Sequence, residues 1–132
     1  MKASVLILTY NAMEFISHTL DSVLEQDYDD IEIIIGDDAS SDGTIEYIKN
    51  YSSSSRIPIT LIQHDINVGI SKNFNDCLRV INGDIIFLLG GDDVFLKDKI
   101  SKQVKHFIHL IYNLRSSTCI VVYDDGKSIL VT

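Results

Sequence analysis

The chain has 132 residues, 45% of them hydrophobic, with 19 acids against 11 bases and a formal net charge of −8. That length suits one domain with a real core, and the composition is that of a packed globule rather than a disordered chain. The acidic balance argues against a nucleic-acid binder, which needs a basic face, but leaves a nucleotide ligand open, because a divalent cation can turn an acidic crevice into a phosphate site.

Cys77 and Cys119 are lone thiols without CxxC spacing, so they offer neither a zinc site nor a disulfide framework and fit a reduced, cytosolic compartment. No run reaches the ~18 apolar residues that span a bilayer. The start, Met1 to Leu8, is too short in its apolar part for a signal peptide and lacks a cleavage site, so it reads as a strand.

Val5 to Leu8 is strand one, ended by Thr9-Tyr10-Asn11. Phe15, Ile16, Leu20, Val23 and Leu24 then recur at helical spacing, which predicts helix one with Asn11 as its N-cap. Strand two, Ile31 to Ile35, runs into the polar loop 36–44, and helix two follows from Thr44 to about Tyr51, capped by Asp42. Ser52 to Ser55 reads as a flexible exposed linker. Pro58 opens strand three, Ile59 to Gln63. A third helix runs through Phe74, Cys77, Leu78 and Ile81 and is closed by Asn82-Gly83.

Ile85 to Leu89, bounded by Gly83-Asp84 and by Gly90, has the form of a fully buried parallel strand, and it delivers Gly90-Gly91-Asp92-Asp93 at its carboxyl end. Lys97 to about Asn113 predicts a helix with Ile100, Val104, Phe107, Ile108 and Ile111 inward and Lys99, Lys102 and Lys105 outward. Thr118 to Tyr123 is strand five, Asp124-Asp125-Gly126 a hairpin turn, and Ser128 to Val131 the last strand.

This alternation predicts an α/β fold: a doubly wound, mostly parallel sheet with helices on both faces. Right-handed crossovers bring the ends of strands one, two and four to one edge, so Thr9-Tyr10-Asn11, Asp37-Asp38 and Asp92-Asp93 should converge where such sheets bind ligands. Adjacent carboxylates repel unless a cation lies between them, and hard oxygen ligands suit Mg²⁺ or Mn²⁺. The bland alternative is a solvated Gly-Gly-Asp-Asp turn.

Other motifs fail. Gly126-Lys127-Ser128 lacks the earlier P-loop glycine, which is Val121 here, and no GxGxxG follows strand one. A phospho-receiver could use Asp37-Asp38, Asp65 and Lys127, but its acid pair should follow strand one.

The blocks Val5 to Asn11, Ser22 to Gln26, Ile33 to Thr44, Asn67 to Gly69 and Gly83 to Asp93 together resemble glycosyltransferase family two, in order and spacing, over residues 3 to about 108. The resemblance implies the Rossmann-like GT-A fold, a nucleotide-diphosphate sugar donor (most often a uridine one), a divalent metal, a glycan or lipid-linked acceptor, and usually inversion at the sugar carbon. Residue by residue, it places Thr9 and Tyr10 beside the base pocket, with Asn11 next to them among the donor-binding residues, and has Asp38 accept a hydrogen bond from the base. It gives Asp92 to the ribose or the metal's surroundings and Asp93 to the metal, with Asn67, Lys72 and Asn75 as donor-side polar groups.

Three departures stand out. Gly90 occupies a position where the family often has a further Asp, and Phe74 one where arginine is common. The chain also continues past the acid pair only from Val94 to Thr132, whereas the family's acceptor region and general base lie well beyond that motif. The expectation is therefore a single nucleotide-diphosphate-sugar-binding domain over 1–132, C-terminally incomplete, with a donor core over 1–96 and a helix plus strands over 97–132. It has no acceptor-binding region and no catalytic base of its own. The alternative is a non-catalytic nucleotide-sugar-binding or interaction module. The expected location is the cytosol or the inner face of the membrane, and an exposed apolar face would favour self-association.

Overall fold

The computed structural model describes residues 1–114, 119–122 and 128–131, with side chains as far as His109. The elements are β1 (Ala3–Thr9), α1 (Ile16–Leu24), β2 (Ile31–Asp37), α2 (Thr44–Ser54), β3 (Ile59–Gln63), α3 (Ile70–Leu78), β4 (Ile85–Gly90), α4 (Lys99–Leu114), β5 (Cys119–Val122) and β6 (Ser128–Val131).

They form one sheet in the order β3-β2-β1-β4-β5-β6, parallel except for the β5–β6 pair. The β-branched runs of β1 and β2 are buried on both sides, as expected of inner parallel strands. On one face Val5, Ile7, Ile33, Ile35, Phe87 and Leu89 meet Ile16, Leu20 and Val23 of α1, Ile48 of α2, and Ile100, Val104 and Phe107 of α4. On the other, Leu6 and Ile34 meet Cys77 and Phe74 of α3. Each aliphatic side chain fully buried here stabilises the fold by about 1.5–3 kcal/mol.

Register decides what the sheet presents. Thr9 lies opposite Asp37 and Leu8 opposite Gly90, so the carboxyl ends of β1, β2 and β4 finish level with one another. Gly36, one residue before the end of β2, lets α3 lie flush: an added Cβ would overlap the side chains of Asn73 and Cys77.

Several local expectations are corrected. Asn11 does not cap α1. It has a left-handed φ of 47°, a turn intervenes, and Phe15 stands at the cap without a side-chain hydrogen bond. Gly43 (φ 97°) occupies the cap position of α2, while Asp42 acts from one residue earlier, accepting from the Thr44 N–H at 3.1 Å. Ser52–Ser54 are the last turn of α2 rather than a linker, and their hydroxyls donate to the carbonyls of Lys49, Asn50 and Tyr51.

α3 stops at Leu78, short of Ile81, and Gly83 is not a left-handed helix end. It is needed because an added Cβ would come within 2.9 Å of Lys2 O and Ser4 N. β4 is not buried throughout, because α3 lies over β1 and β2 and leaves Leu88 38% exposed. Ile108 is 40% exposed rather than inward. The side chain of Ile111 and the Asp124–Gly126 turn lie outside the described residues.

Candidate functional site

The level strand ends are tied together by loop hydrogen bonds. Asp37, fully buried, accepts from Thr9 Oγ1 at 2.7 Å and from the Ser40 N–H and hydroxyl at 2.8 and 2.6 Å, a turn made possible by Ala39 at φ 67°. The Asn11 N–H donates to Ser40 Oγ and Asn11 Oδ1 accepts from the Ser41 N–H, so Asn11 zips the two loops together. The Ala12 N–H reaches Thr44 Oγ1 at 3.0 Å and the Met13 N–H reaches Asp42 Oδ2 at 3.0 Å. Burial raises the Asp42 carboxyl's pKa, but hydrogen bonds from Thr44 and Met13 outweigh it and hold the group below the usual carboxylate range.

Asp38 does a different job. Its two oxygens accept the backbone N–H groups of Val68 and Gly69 at 2.6 and 3.0 Å, fixing the loop that opens α3. Gly69 sits at φ 85°, which disfavours any side chain, and Asn67 Oδ1 also accepts from its N–H at 3.2 Å. One turn on, the buried Asn73 donates to Gly36 O at 2.9 Å and pairs with His64 Nε2 at 3.2 Å.

These residues enclose a cleft of about 270 Å³ lined by Thr9, Tyr10, Asp38, Asn67, Gly69, Ile70 and Asn73. Bordering it at the exposed Tyr10 is a second compartment of about 160 Å³, lined by Asn11, Ala12, Phe15, Gly91 and Asp92. Leu8, Thr9 and Tyr10 border both.

The acid pair follows β4 on a pinned turn. The Gly91 N–H donates to Leu8 O at 2.9 Å, Gly91 O accepts from Thr19 Oγ1 at 3.0 Å, and the Asp93 N–H donates to Gly90 O at 3.1 Å. Gly91 must be small, since an added Cβ would lie 2.9 Å from Thr9 Cγ2. Both carboxylates fold back over Gly90: a Cβ built there would lie 2.9 Å from Asp92 Oδ1 and 2.8 Å from Asp93 Oδ2. Two hard oxygens thus flank a space that glycine leaves open. No group of three His, Cys, Asp or Glu able to hold a metal occurs among the described residues. Two carboxylates still fit Mg²⁺ or Mn²⁺, which keep waters and complete their shells with substrate phosphates.

Of the residues named from sequence, Thr9, Tyr10, Asp38 and Asn67 line the larger cleft, and Asn11 and Asp92 the smaller. Lys72 lines neither; its ammonium is 2.7 Å from Asp76, whose carboxyl is held low chiefly by that contact. Asn75 faces a separate hollow with Leu8, Phe74 and Leu88. Asn73 was missed, although it stands four residues after Gly69 and opposite side-chain-less Gly36. The receiver reading fails because Asp37 and Asp38 follow β2, whereas a receiver's acid pair follows its first strand.

A doubly wound sheet whose β1, β2 and β4 ends gather a polar cleft and an acid pair defines a GT-A type glycosyltransferase domain. The match to solved structures agrees: S. aureus TarS in complex with UDP superposes with a TM-score of 0.75 at 28% identity, over 85% of this chain and 33% of that one. The mannosyltransferase PcManGT from Pyrobaculum calidifontis, in complex with GDP-Man and Mn²⁺, gives 0.75 at 28% identity over 79% and 31%.

The sequence model of glycosyl transferase family 2 matches residues 4–128, and the chain belongs to that family of enzymes. Among curated relatives, the Escherichia coli UDP-Glc:alpha-D-GlcNAc-diphosphoundecaprenol beta-1,3-glucosyltransferase WfaP is 36% identical over 105 residues, 80% of this chain and 40% of that protein. The chain spans between about a quarter and two fifths of the length of the curated relatives it matches.

Proposed function

We propose that the chain is the donor-binding part of a glycosyltransferase that takes a sugar from a nucleotide-diphosphate donor, with UDP as the nucleotide. The observation that carries this is that a cleft lined by Asp38 and a compartment lined by Asp92 share Thr9 and Tyr10 as a common border. The base would occupy the larger cleft against Tyr10 and Ile70, with Asp38, Asn67 and Asn73 as polar partners. Asp92 would face the ribose, and Asp93, with Asp92, would hold a divalent cation over Gly90. When bound, that cation supplies neutralisation of the charge developing on the departing diphosphate.

Support comes from the relatives: TarS was solved with UDP, and PcManGT with GDP-Man and Mn²⁺. The glucosyltransferase relative acts on a diphosphoundecaprenol-linked sugar, which favours a glycan or lipid-linked acceptor and a site of action at the inner face of the membrane. Lys72 and Asn75 would take part only through rearrangement, since Lys72 is held by Asp76.

Inverting transfer needs a base to take the acceptor proton, worth ~10²–10⁴-fold. We assign donor binding, and not that proton transfer, to the residues of the two compartments. A thermal-shift panel of UDP, GDP, CDP and ADP with Mn²⁺ tests the reading. UDP should raise the Tm most; no shift with any of the four would sink it.

A further inference from the structure

The chain's charge is unevenly divided. Residues 97–109 hold Lys97, Lys99, Lys102 and Lys105, with His106 and His109, against the single acid Asp98, in a chain of net charge −8. Helical periodicity in α4 turns Ile100, Val104 and Phe107 into the core and leaves Lys102, Lys105 and His106 exposed on the outer face. The Lys102–Asp98 pair, 3.0 Å apart, is itself exposed, and a pair of that kind exchanges readily for another anion.

Directly ahead of α4 the chain alternates. Phe95 is buried edge-on to Phe87, with ring centroids 6.3 Å apart, while Val94 and Leu96 are 55% and 79% exposed. Those two side chains are held outward by a pinned backbone. The Phe95 N–H donates to Ser22 Oγ at 3.0 Å, Leu96 O accepts from Gln26 Nε2 at 2.9 Å, and the Ile100 N–H donates to Gln26 Oε1 at 3.0 Å. A hollow of about 440 Å³ beside Val94, Leu96 and Lys102 adjoins one of about 570 Å³ beside Lys102, Lys105 and Ile108. Fixed aliphatic tips bordered by lysines thus start immediately after Asp93.

We propose that this surface docks the domain on an anionic lipid bilayer, with Val94 and Leu96 entering the headgroup region and Lys97, Lys102 and Lys105 lying on the lipid phosphates. Charge complementarity selects the occupant. The lysines are the basic island of an acidic chain, and a bilayer accepts the aliphatic tips as well as the cations. A nucleic acid fits less well, because the stretch 94–109 carries no arginine and both of its phenylalanine rings are buried. Docking here sets the acid-pair edge of the sheet toward the membrane. It stands whether or not the cleft binds a nucleotide.

The test is co-sedimentation with vesicles of phosphatidylcholine alone and of phosphatidylcholine with phosphatidylglycerol, at low and high salt, for the native chain, Leu96→Ser, and the double variant Lys102→Glu/Lys105→Glu. All three substitutions are at exposed positions, and circular dichroism checks that each variant folds. The native chain should bind only the anionic vesicles and release in salt. The double reversal should weaken binding by on the order of tenfold or more, and Leu96→Ser should weaken it too. No binding to anionic vesicles, equal binding to neutral ones, an unaffected double variant, or removal from vesicles by a single-stranded oligonucleotide would each overturn the proposal. UDP binding, measured on the same variants, should stay unchanged; its absence in the native chain would count against the nucleotide reading and leave the membrane result intact.

Discussion

Asp38, the first residue after β2, holds the N–H of Gly69, ahead of α3, at 3.0 Å, and with its other oxygen takes the neighbouring Val68 N–H at 2.6 Å. A buried carboxylate just beyond one strand thereby shapes the loop that walls the larger cleft, and Gly69 allows it by accepting φ 85°.

Asp38→Asn replaces one accepting oxygen with an amide nitrogen facing an N–H. Hydrogen bonds to charged groups are worth roughly 1.5–3 kcal/mol, so the variant should lose about 1–3 kcal/mol of stability in urea titration. Hydrogen exchange at Val68 and Gly69 should rise more than in the sheet. A variant with wild-type protection there would show that the carboxylate does not order the loop.

Gly36→Ala tests the seating of α3. The added methyl would overlap Asn73 and Cys77, both on the buried side of that helix. Overpacking of this kind costs typically 1–3 kcal/mol, and a lowered urea midpoint with an unchanged m-value is expected. Full stability would mean that α3 does not lie flush on β2.

Glu32 gives a pH signature at the opposite edge of the sheet. Burial alone would raise its pKa, but the hydrogen bonds from Lys2, Ser4 and the Asn82 N–H, with the charge of Lys2 at 2.5 Å, bring it down to about 2. A depressed carboxylate contributes stability that is present above its ordinary value near 4.5 and is lost as pH falls through about 2. The stability difference between the native chain and Glu32→Gln should therefore be constant from neutral pH down to about 5 and shrink below 4.5. A difference independent of pH across that window would remove Glu32 from the acid transition.

Gly90→Ala addresses the space between the acids. Its Cβ would crowd Asp92 Oδ1 and Asp93 Oδ2 at 2.9 and 2.8 Å and push both carboxylates aside. Mn²⁺-dependent UDP affinity should fall by about tenfold, while any metal-free binding stays the same. Equal loss with and without Mn²⁺ would point to general disruption of the turn instead.

The succession of strands and helices and the meeting of three strand ends were legible because β-branched runs closed by Gly, Asp or Asn carry both the strand and its stop. What sequence could not show depended on partners far away in the chain. Asn11 looked like a helix cap, yet its amide is spent on Ser40 and Ser41, some thirty residues on. The serines after Tyr51 looked like a linker, yet three hydroxyls fold back on α2 carbonyls. Leu88 lay in an apolar run with no sign that α3 stops short of covering it. Asn73 drew no attention because its role rests on Gly36, which has no side chain to advertise a contact.

The most direct measurement is calorimetry of UDP with the native chain and with Asp93→Ala, each with and without Mn²⁺. The account predicts that the native chain binds UDP at least about tenfold more tightly with Mn²⁺, the size of one lost strong contact, and that Asp93→Ala abolishes this difference. Heat that is the same for both proteins, or no Mn²⁺-dependent binding by the native chain, would contradict it.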